Sequence, residues 1–398
     1  MYADRRPIVQ MTGMSLLLSG LSKQRIEAVW RGRRSGDKPI FDYDSILAFA
    51  TGRPSVAFGD RYRVFDEERV IARLPGPPFQ FLDRIVSIKN CKQWELAAGG
   101  VIEAEYDIPA DAWYFRENRQ PYTPYSVLLE AALQPCGWLA AYLGSALCSD
   151  EDLSFRNLGG EGVQHRMVTP QSGTLCTRVK ITGVSRSGGM IIQHFEFQVR
   201  NDEGVVYEGT TYFGFFTKGA LANQVGIREA QVYLPTQEEA ARGMKFSYPD
   251  HSPYPAARMR MVDRIELFDP EGGLERLGFI SGTAQVDPGA WFFKAHFFQD
   301  PVWPGSLGLE SLIQLLKAVA VHHWKGSSTD PVFESMCTGK KHQWIYRGQI
   351  LPGNNEVSVQ ATINHLNYKE KSLAANGFLS VDGRIIYQMT GFTLKLTG

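Results

Sequence analysis

Asp263-Arg264-Ile265 repeats Asp83-Arg84-Ile85 at a distance of 180 residues, and the match runs on down the chain. Pro304 falls on Pro124, Glu310 on Glu130, Gln314 on Gln134, Asp382 on Asp202 and Tyr387 on Tyr207 at the same shift. Between these markers, Ala290-Trp291-Phe292-Phe293 falls on Ala112-Trp113-Tyr114-Phe115 at a shift of 178, so the first copy is two residues shorter just after its tryptophan. The gap opens where the second copy reads Lys294-Ala-His296-Phe-Phe-Gln-Asp300-Pro-Val-Trp-Pro304-Gly305. The first copy reads Arg116-Glu-Asn118-Arg-Gln-Pro-Tyr-Thr-Pro124-Tyr125 there. A repeat this long decides the architecture: one unit is written twice, and one polar spot survives in only one copy.

Each copy has the same order of elements. A short strand (79–88; 258–268) comes first, then a strand leading to the tryptophan, then one long apolar helix (125–147; 306–324). Strands rich in Val, Ile, Thr, Tyr and Phe follow, with Gly and Asp/Asn turns between them. They are expected at 174–184, 190–199 and 205–216, and at 343–350, 357–366, 374–381 and 384–396. The helices are apolar nearly all round, as in Leu307-Gly-Leu309-Glu310-Ser-Leu312-Ile313-Gln-Leu315-Leu316, so they must be wrapped on most sides. This predicts an α+β fold in which antiparallel sheets curl around two central helices, a pseudo-dimer in one chain. The expected parts are a linker or docking segment at 1–65, a first copy at 66–225 and a second at 226–398.

The 398 residues and 43% hydrophobic content allow real cores, and 42 basic residues balance 42 acidic ones. That balance gives no electrostatic case for nucleic acid or an anionic membrane. The five cysteines have no CxxC or metal-type spacing and predict reduced thiols in a cytoplasm. The run 11–21 is too short and too interrupted for a signal peptide, and no run approaches a membrane span. A soluble, cytoplasmic protein is expected.

Chemistry concentrates in His296, Asp300, Pro304-Gly305-Ser306 and Glu310. Pro-Gly before an apolar helix leaves unpaired backbone N–H groups at a helix N-terminus, where a carbonyl gaining negative charge is stabilised. A carboxylate one turn later among leucines has its pKa raised unless it is paired, which suits a general acid or base. This stretch resembles the active-site motif of the β-hydroxydecanoyl thioester type of β-hydroxyacyl-acyl carrier protein dehydratase, a hot-dog fold. That motif has a histidine, Asp-Pro, Pro-Gly, and an acid fourteen positions after the histidine; here 310 − 296 = 14. The two copies together resemble the double hot-dog dehydratase regions of bacterial polyunsaturated-fatty-acid and glycolipid synthases.

The resemblance implies that each site takes its histidine from one hot dog and its acid from the other. His296 is therefore expected to face Glu130, while Asn118 stands where the first copy lacks its histidine, leaving a dead mirror site with Glu310. It implies dehydration of 3-hydroxyacyl thioesters: His296 takes the C2 proton, the backbone at Gly305 and Ser306 receives the enolate oxygen, and Glu130 protonates the departing hydroxyl. Asp300, Pro304 and Glu310 are supporting candidates. Glutamate where the β-hydroxydecanoyl members have aspartate, and Ser306 where they have cysteine, leave double-bond isomerisation open. No metal or other cofactor is expected. The implied partners are an acyl carrier protein, whose phosphopantetheine carries the substrate, and the other domains of a multidomain synthase; a homodimer stays open. Lys294, Lys340, Lys341 and Arg347 are basic candidates for the carrier. Arg116–Arg119 is expected to plug the dead site. Pro135 reads as a kink and His322-His323 as a helix end, and His342 carries no expected function. The rival readings are a hot-dog thioesterase, which usually relies on a lone carboxylate, and a non-catalytic carrier-docking domain.

Overall fold

The computed structural model describes residues 39–324 and 331–397, and the backbone of residues 2–3 and 6–7. Tyr2–Ala3 (β1) and Arg6–Pro7 (β2) pair antiparallel in a separate unit that ends at Lys38. The run 11–21 and Arg31-Gly32-Arg33-Arg34 lie outside the described residues.

In the second unit the two copies fold alike. The first contains Arg84–Lys89 (β3), Val101–Asp107 (β4), Leu153–Gln164 (β5), Thr174–Ser187 (β6), Met190–Asn201 (β7) and Gly204–Thr217 (β8). The second contains Met244–Ser247 (β9), Arg264–Asp269 (β10), Phe279–Gln285 (β11), Val332–Ser335 (β12), Lys341–Tyr346 (β13), Glu356–Asn367 (β14), Ser372–Val381 (β15) and Arg384–Thr397 (β16). The first copy runs β3-β4-β6-β7-β8-β5 across its sheet, and the second runs β10-β11-β14-β15-β16-β13, with β9 added at its edge and β12 pairing β16. Antiparallel pairing of β5 with β13, from Val163 opposite Lys341 to Gly159 opposite Ile345, joins the two sheets into one of 14 strands. This is the double hot-dog fold.

The central helices are Tyr125–Tyr142 and Gly305–Trp324. Leu307, Leu309, Leu312, Ile313, Leu315 and Leu316 are all fully buried. Each such side chain contributes about 1.5–3 kcal/mol relative to exposure, so the second helix is held by packing on all sides. The first helix contains Pro135 and stops earlier than expected, because Gly144 takes a left-handed φ of +79° and one 3₁₀ turn follows at Ser145–Cys148.

The linker expected at 1–65 is corrected over its second part. Helices Tyr43–Thr51, Pro54–Phe58 and Val64–Glu67 bury Ile46, Phe49, Phe58 and Phe65 in the same core as the first copy. Phe58 and Phe41 lie against Trp138 at ring separations of 5.7 and 4.9 Å, and the Tyr62 hydroxyl donates to Ala141 O. Their apolar residues have no counterpart in the repeat, so only packing against the helix's outer face reveals their place.

The seam strand β5 is absent from the strands expected above, since Gly159-Gly160 and Gly162 read as a loop. Large rings lying across the strand impose these glycines: a Cβ on Gly160 would stand 2.5 Å from the Trp344 ring and 2.6 Å from Thr210 O. Gly160→Val is therefore expected to cost about 1–3 kcal/mol through overpacking and to lower the urea midpoint, whereas Thr182→Val on neighbouring β6 is expected to leave it nearly unchanged.

Candidate active site

One cavity of about 110 Å³ is lined by residues of both copies, including His296, Gly305, Ser306 and Tyr346 from the second and Glu130 and Gln134 from the first. The pairing expected across the copies is therefore what the fold builds. His296 follows the short helix Trp291–Ala295 and is nearly buried. Its Nδ1 lies 2.9 Å from Val302 O, and a carbonyl can only accept, so Nδ1 carries the hydrogen and Nε2 is the basic nitrogen. Burial pushes the imidazole pKa down to about 4, so the ring is neutral at pH 7.

Glu130 sits in the second turn of the first helix. Its Oε1 accepts from Ser306 Oγ at 2.7 Å and its Oε2 from Gln134 Nε2 at 3.0 Å. Burial raises its pKa, and these two hydrogen bonds only partly oppose the rise. Gln134 is fixed in turn: its Oε1 accepts from Phe81 N and its Nε2 donates to Phe79 O. Gln314 holds Met261 N and Met259 O in the same way in the second copy. The Pro304 carbonyl accepts from Leu307 N and Gly308 N, so Gly305 and Ser306 supply the first amides of the second helix.

The histidine loop is clamped by the first copy. Asp300 makes a two-pronged ion pair with Arg156 of β5, both contacts at 2.8 Å. Burial would raise the Asp300 pKa, but Arg156 outweighs it and holds the carboxyl below its ordinary value. Gly76 N donates to Ala295 O at 2.7 Å. Arg73, held by Phe49 O and Gly52 O from the N-terminal helices, also lines the cavity.

The mirror position is filled. Asn118 is buried at the histidine's place, and its Oδ1 accepts from Lys317 Nζ at 3.1 Å. Lys317 repeats Gly137, a cavity-lining residue, and is itself fully buried. Burial lowers its pKa, and Glu310, two turns earlier on the same helix face, opposes that. Tyr125 stands in place of Gly305, its hydroxyl bonded to Tyr207 (3.2 Å) and to His342 Nε2 (2.8 Å). Glu310 instead accepts from Ser126 N at 3.4 Å, away from the cavity of His296. The plug is thus Asn118, Tyr125 and Lys317; Arg116 points to solvent beside Glu117, and Arg119 pairs with Asp250.

Sequence reading missed Arg73, Arg156, Gln134, Gly137, Lys317 and Tyr346; the Gln134/Gln314 repeat was the one signal available. The basic candidates are corrected: among the described residues, Arg73 and Arg156 are the cationic groups lining the cavity. Arg347 instead bonds Leu158 O and the Tyr212 hydroxyl, and Lys341 pairs with Glu161.

The FabA-like domain family matches residues 74–210 and again residues 254–390. The chain belongs to this family. Its two FabA-like copies are 29% identical over 387 residues to one subunit of the polyunsaturated fatty acid synthase of Thraustochytrium sp., covering 88% of this chain and 26% of that protein. The chain thus spans about a quarter of that relative's length. Among solved structures, the dehydratase domain of RzxB from Pseudomonas fluorescens matches with TM-score 0.46 and 10% identity, over 80% of this chain and 98% of that one. The dehydratase domain from the CurJ module of curacin polyketide synthase matches with TM-score 0.43 and 13% identity, over 79% and 96%. No helix among the described residues is long and apolar enough to cross a membrane.

Because the folded His296 pKa lies below the unfolded value of about 6.5, the unfolded chain binds the extra proton between the two values. The stability that the neutral ring contributes is complete above pH ~6.5 and is lost as pH falls toward 4. The melting temperature of wild type is expected to drop more steeply than that of His296→Gln over this window, read by thermal unfolding at pH 7, 5.5 and 4.5.

Proposed function

We propose that this chain dehydrates 3-hydroxyacyl thioesters to 2-enoyl thioesters, at one site per chain. The observation that carries this reading is the shared cavity holding His296 of one copy and Glu130 of the other, with the equivalent space in the mirror position filled. His296 Nε2 removes a proton from C2. The electrons form the C2–C3 double bond as the C3–O bond breaks, and Glu130 gives its proton to the departing hydroxyl, releasing water. A neutral histidine and a carboxyl of raised pKa are the protonation states these roles need. The Gly305 amide, at the helix N-terminus, faces the charge developing on the thioester oxygen. Ser306 Oγ and Gln134 orient the acid, and the Arg156–Asp300 pair positions the histidine loop. The chemistry needs no metal or redox group.

The substrate is read as an acyl group on the phosphopantetheine arm of an acyl carrier protein, within a multidomain cytoplasmic synthase. The likeness to a polyunsaturated fatty acid synthase supports this. Residues 66–225 act as the acid-supplying half and 226–398 as the histidine-supplying half. The acyl chain is proposed to run from Glu130 past Leu133 and Gly137 along the first helix.

Mass spectrometry of a 3-hydroxyacyl thioester incubated with the chain tests the reading. Loss of one water is expected with wild type, with rates down about 10²–10⁴-fold in His296→Ala and Glu130→Gln, and within a few-fold of wild type in Glu310→Gln. Loss of activity in Glu310→Gln but not Glu130→Gln would overturn the pairing. A second expectation concerns the plug: on a His296→Ala background, Asn118→His is expected to restore no dehydration, because Tyr125 and Lys317 still fill the mirror space.

A further inference from the structure

The Tyr346 hydroxyl has an unusual position for a buried polar group. Tyr346 ends β13, is 6% exposed, and its hydroxyl is enclosed with no hydrogen-bond partner. Leaving such a group unsatisfied costs about 1–3 kcal/mol, and such exceptions call for an explanation. The ring lies across Gly305: a Cβ on that glycine would stand 3.0 Å from the ring and 3.1 Å from the hydroxyl oxygen. The hydroxyl is therefore at the N-terminus of the second central helix, on the wall of the cavity that holds His296 and Glu130.

The two copies provide an internal comparison. In the mirror position the ring comes from the helix, as Tyr125 in place of Gly305, while Gln164 takes the strand position of Tyr346, opposite Tyr207 as Tyr346 is opposite Tyr387. There the phenol is satisfied by Tyr207 and His342. In the open cavity no such partner is supplied, although the packing is equally close. Burial, with Tyr387 and Glu130 nearby, keeps the Tyr346 phenol protonated far above neutral pH, so it can donate.

We propose that Tyr346 is a catalytic hydrogen-bond donor, which together with the Gly305 amide receives the thioester oxygen of the substrate as C2 loses its proton to His296. No proton leaves the phenol; its O–H···O bond strengthens as the oxygen gains charge and relaxes when the double bond forms. This rests on the dehydratase reading of the cavity. It also gives a reason for glycine at 305, since any side chain there would push the ring off the oxygen's position.

The test is Tyr346→Phe in the full chain, with two readouts. The first is steady-state dehydration of a 3-hydroxyacyl thioester. The second is exchange of the C2 hydrogens of the same-length acyl thioester lacking the 3-hydroxyl, followed by mass spectrometry in D₂O, which reports enolate formation without a leaving group. Loss of one oxyanion donor is expected to lower both rates about 10²–10³-fold, with KM within about twofold and the melting temperature unchanged or higher. Unchanged rates in an otherwise active system overturn the inference alone. A fall in dehydration with full C2 exchange also overturns it, by placing the hydroxyl on the leaving group. A wild-type chain that neither exchanges nor dehydrates overturns the dehydratase reading instead.

Discussion

Each central helix carries a buried glutamate whose carboxylate reaches the first turn of the other helix. Glu130 is received by the Ser306 hydroxyl and Glu310 by the Ser126 amide. Negative charge at a helix N-terminus is favourable, and a buried carboxylate with no such partner would be costly. The reciprocal contact therefore sets how far along each other the two helices lie. Everything at the site follows from that register. It brings an acid from one copy to the helix start, and so to the histidine loop, of the other.

The same register operates in both copies, so the difference between the open cavity and its filled counterpart lies in a few side chains. Glycine at 137 and 305 leaves space; lysine at 317 and tyrosine at 125 occupy it. Lys317 is accommodated because Glu310 supplies the opposing charge and Asn118 an acceptor. An ammonium buried without them would cost several kcal/mol. The glutamate that has no histidine to work with has become the counter-charge of the plug.

Much of this was legible in the sequence, and the reasons are local. The repeat exposed the pseudo-dimer, Pro304-Gly305 marked a helix start, and the spacing from His296 to Glu310 carried the family resemblance. The rest depends on contacts between residues far apart. Strand β5 was hidden because its glycines answer to Trp344 and Tyr207, rings about 180 and 45 residues away, which no local pattern reveals. Helices 43–67 lack a repeat partner, and their role depends on Trp138. Arg156 became visible only once β5 placed it opposite Asp300. Tyr346 could not be read at all, since its significance lies in the absence of a partner.

The meeting point of the two copies carries one further implication. Trp113 and Trp291 approach at 5.1 Å, and the Arg258 guanidinium lies 4.3 and 5.2 Å from their rings. Trp291 Nε1 donates to Arg258 O just as Trp113 Nε1 donates to Pro78 O, so proline is the arginine's counterpart. Two identical polypeptides related by a two-fold axis would have to bring either two arginines or two prolines to this spot. One cation shared by two indoles can exist only between unequal halves. Once the halves were covalently fused, such lopsided solutions became available, and each one adopted makes a return to a self-pairing ancestor harder. Fusion here acts as an evolutionary ratchet: neither half, expressed alone, can rebuild this centre by pairing with itself.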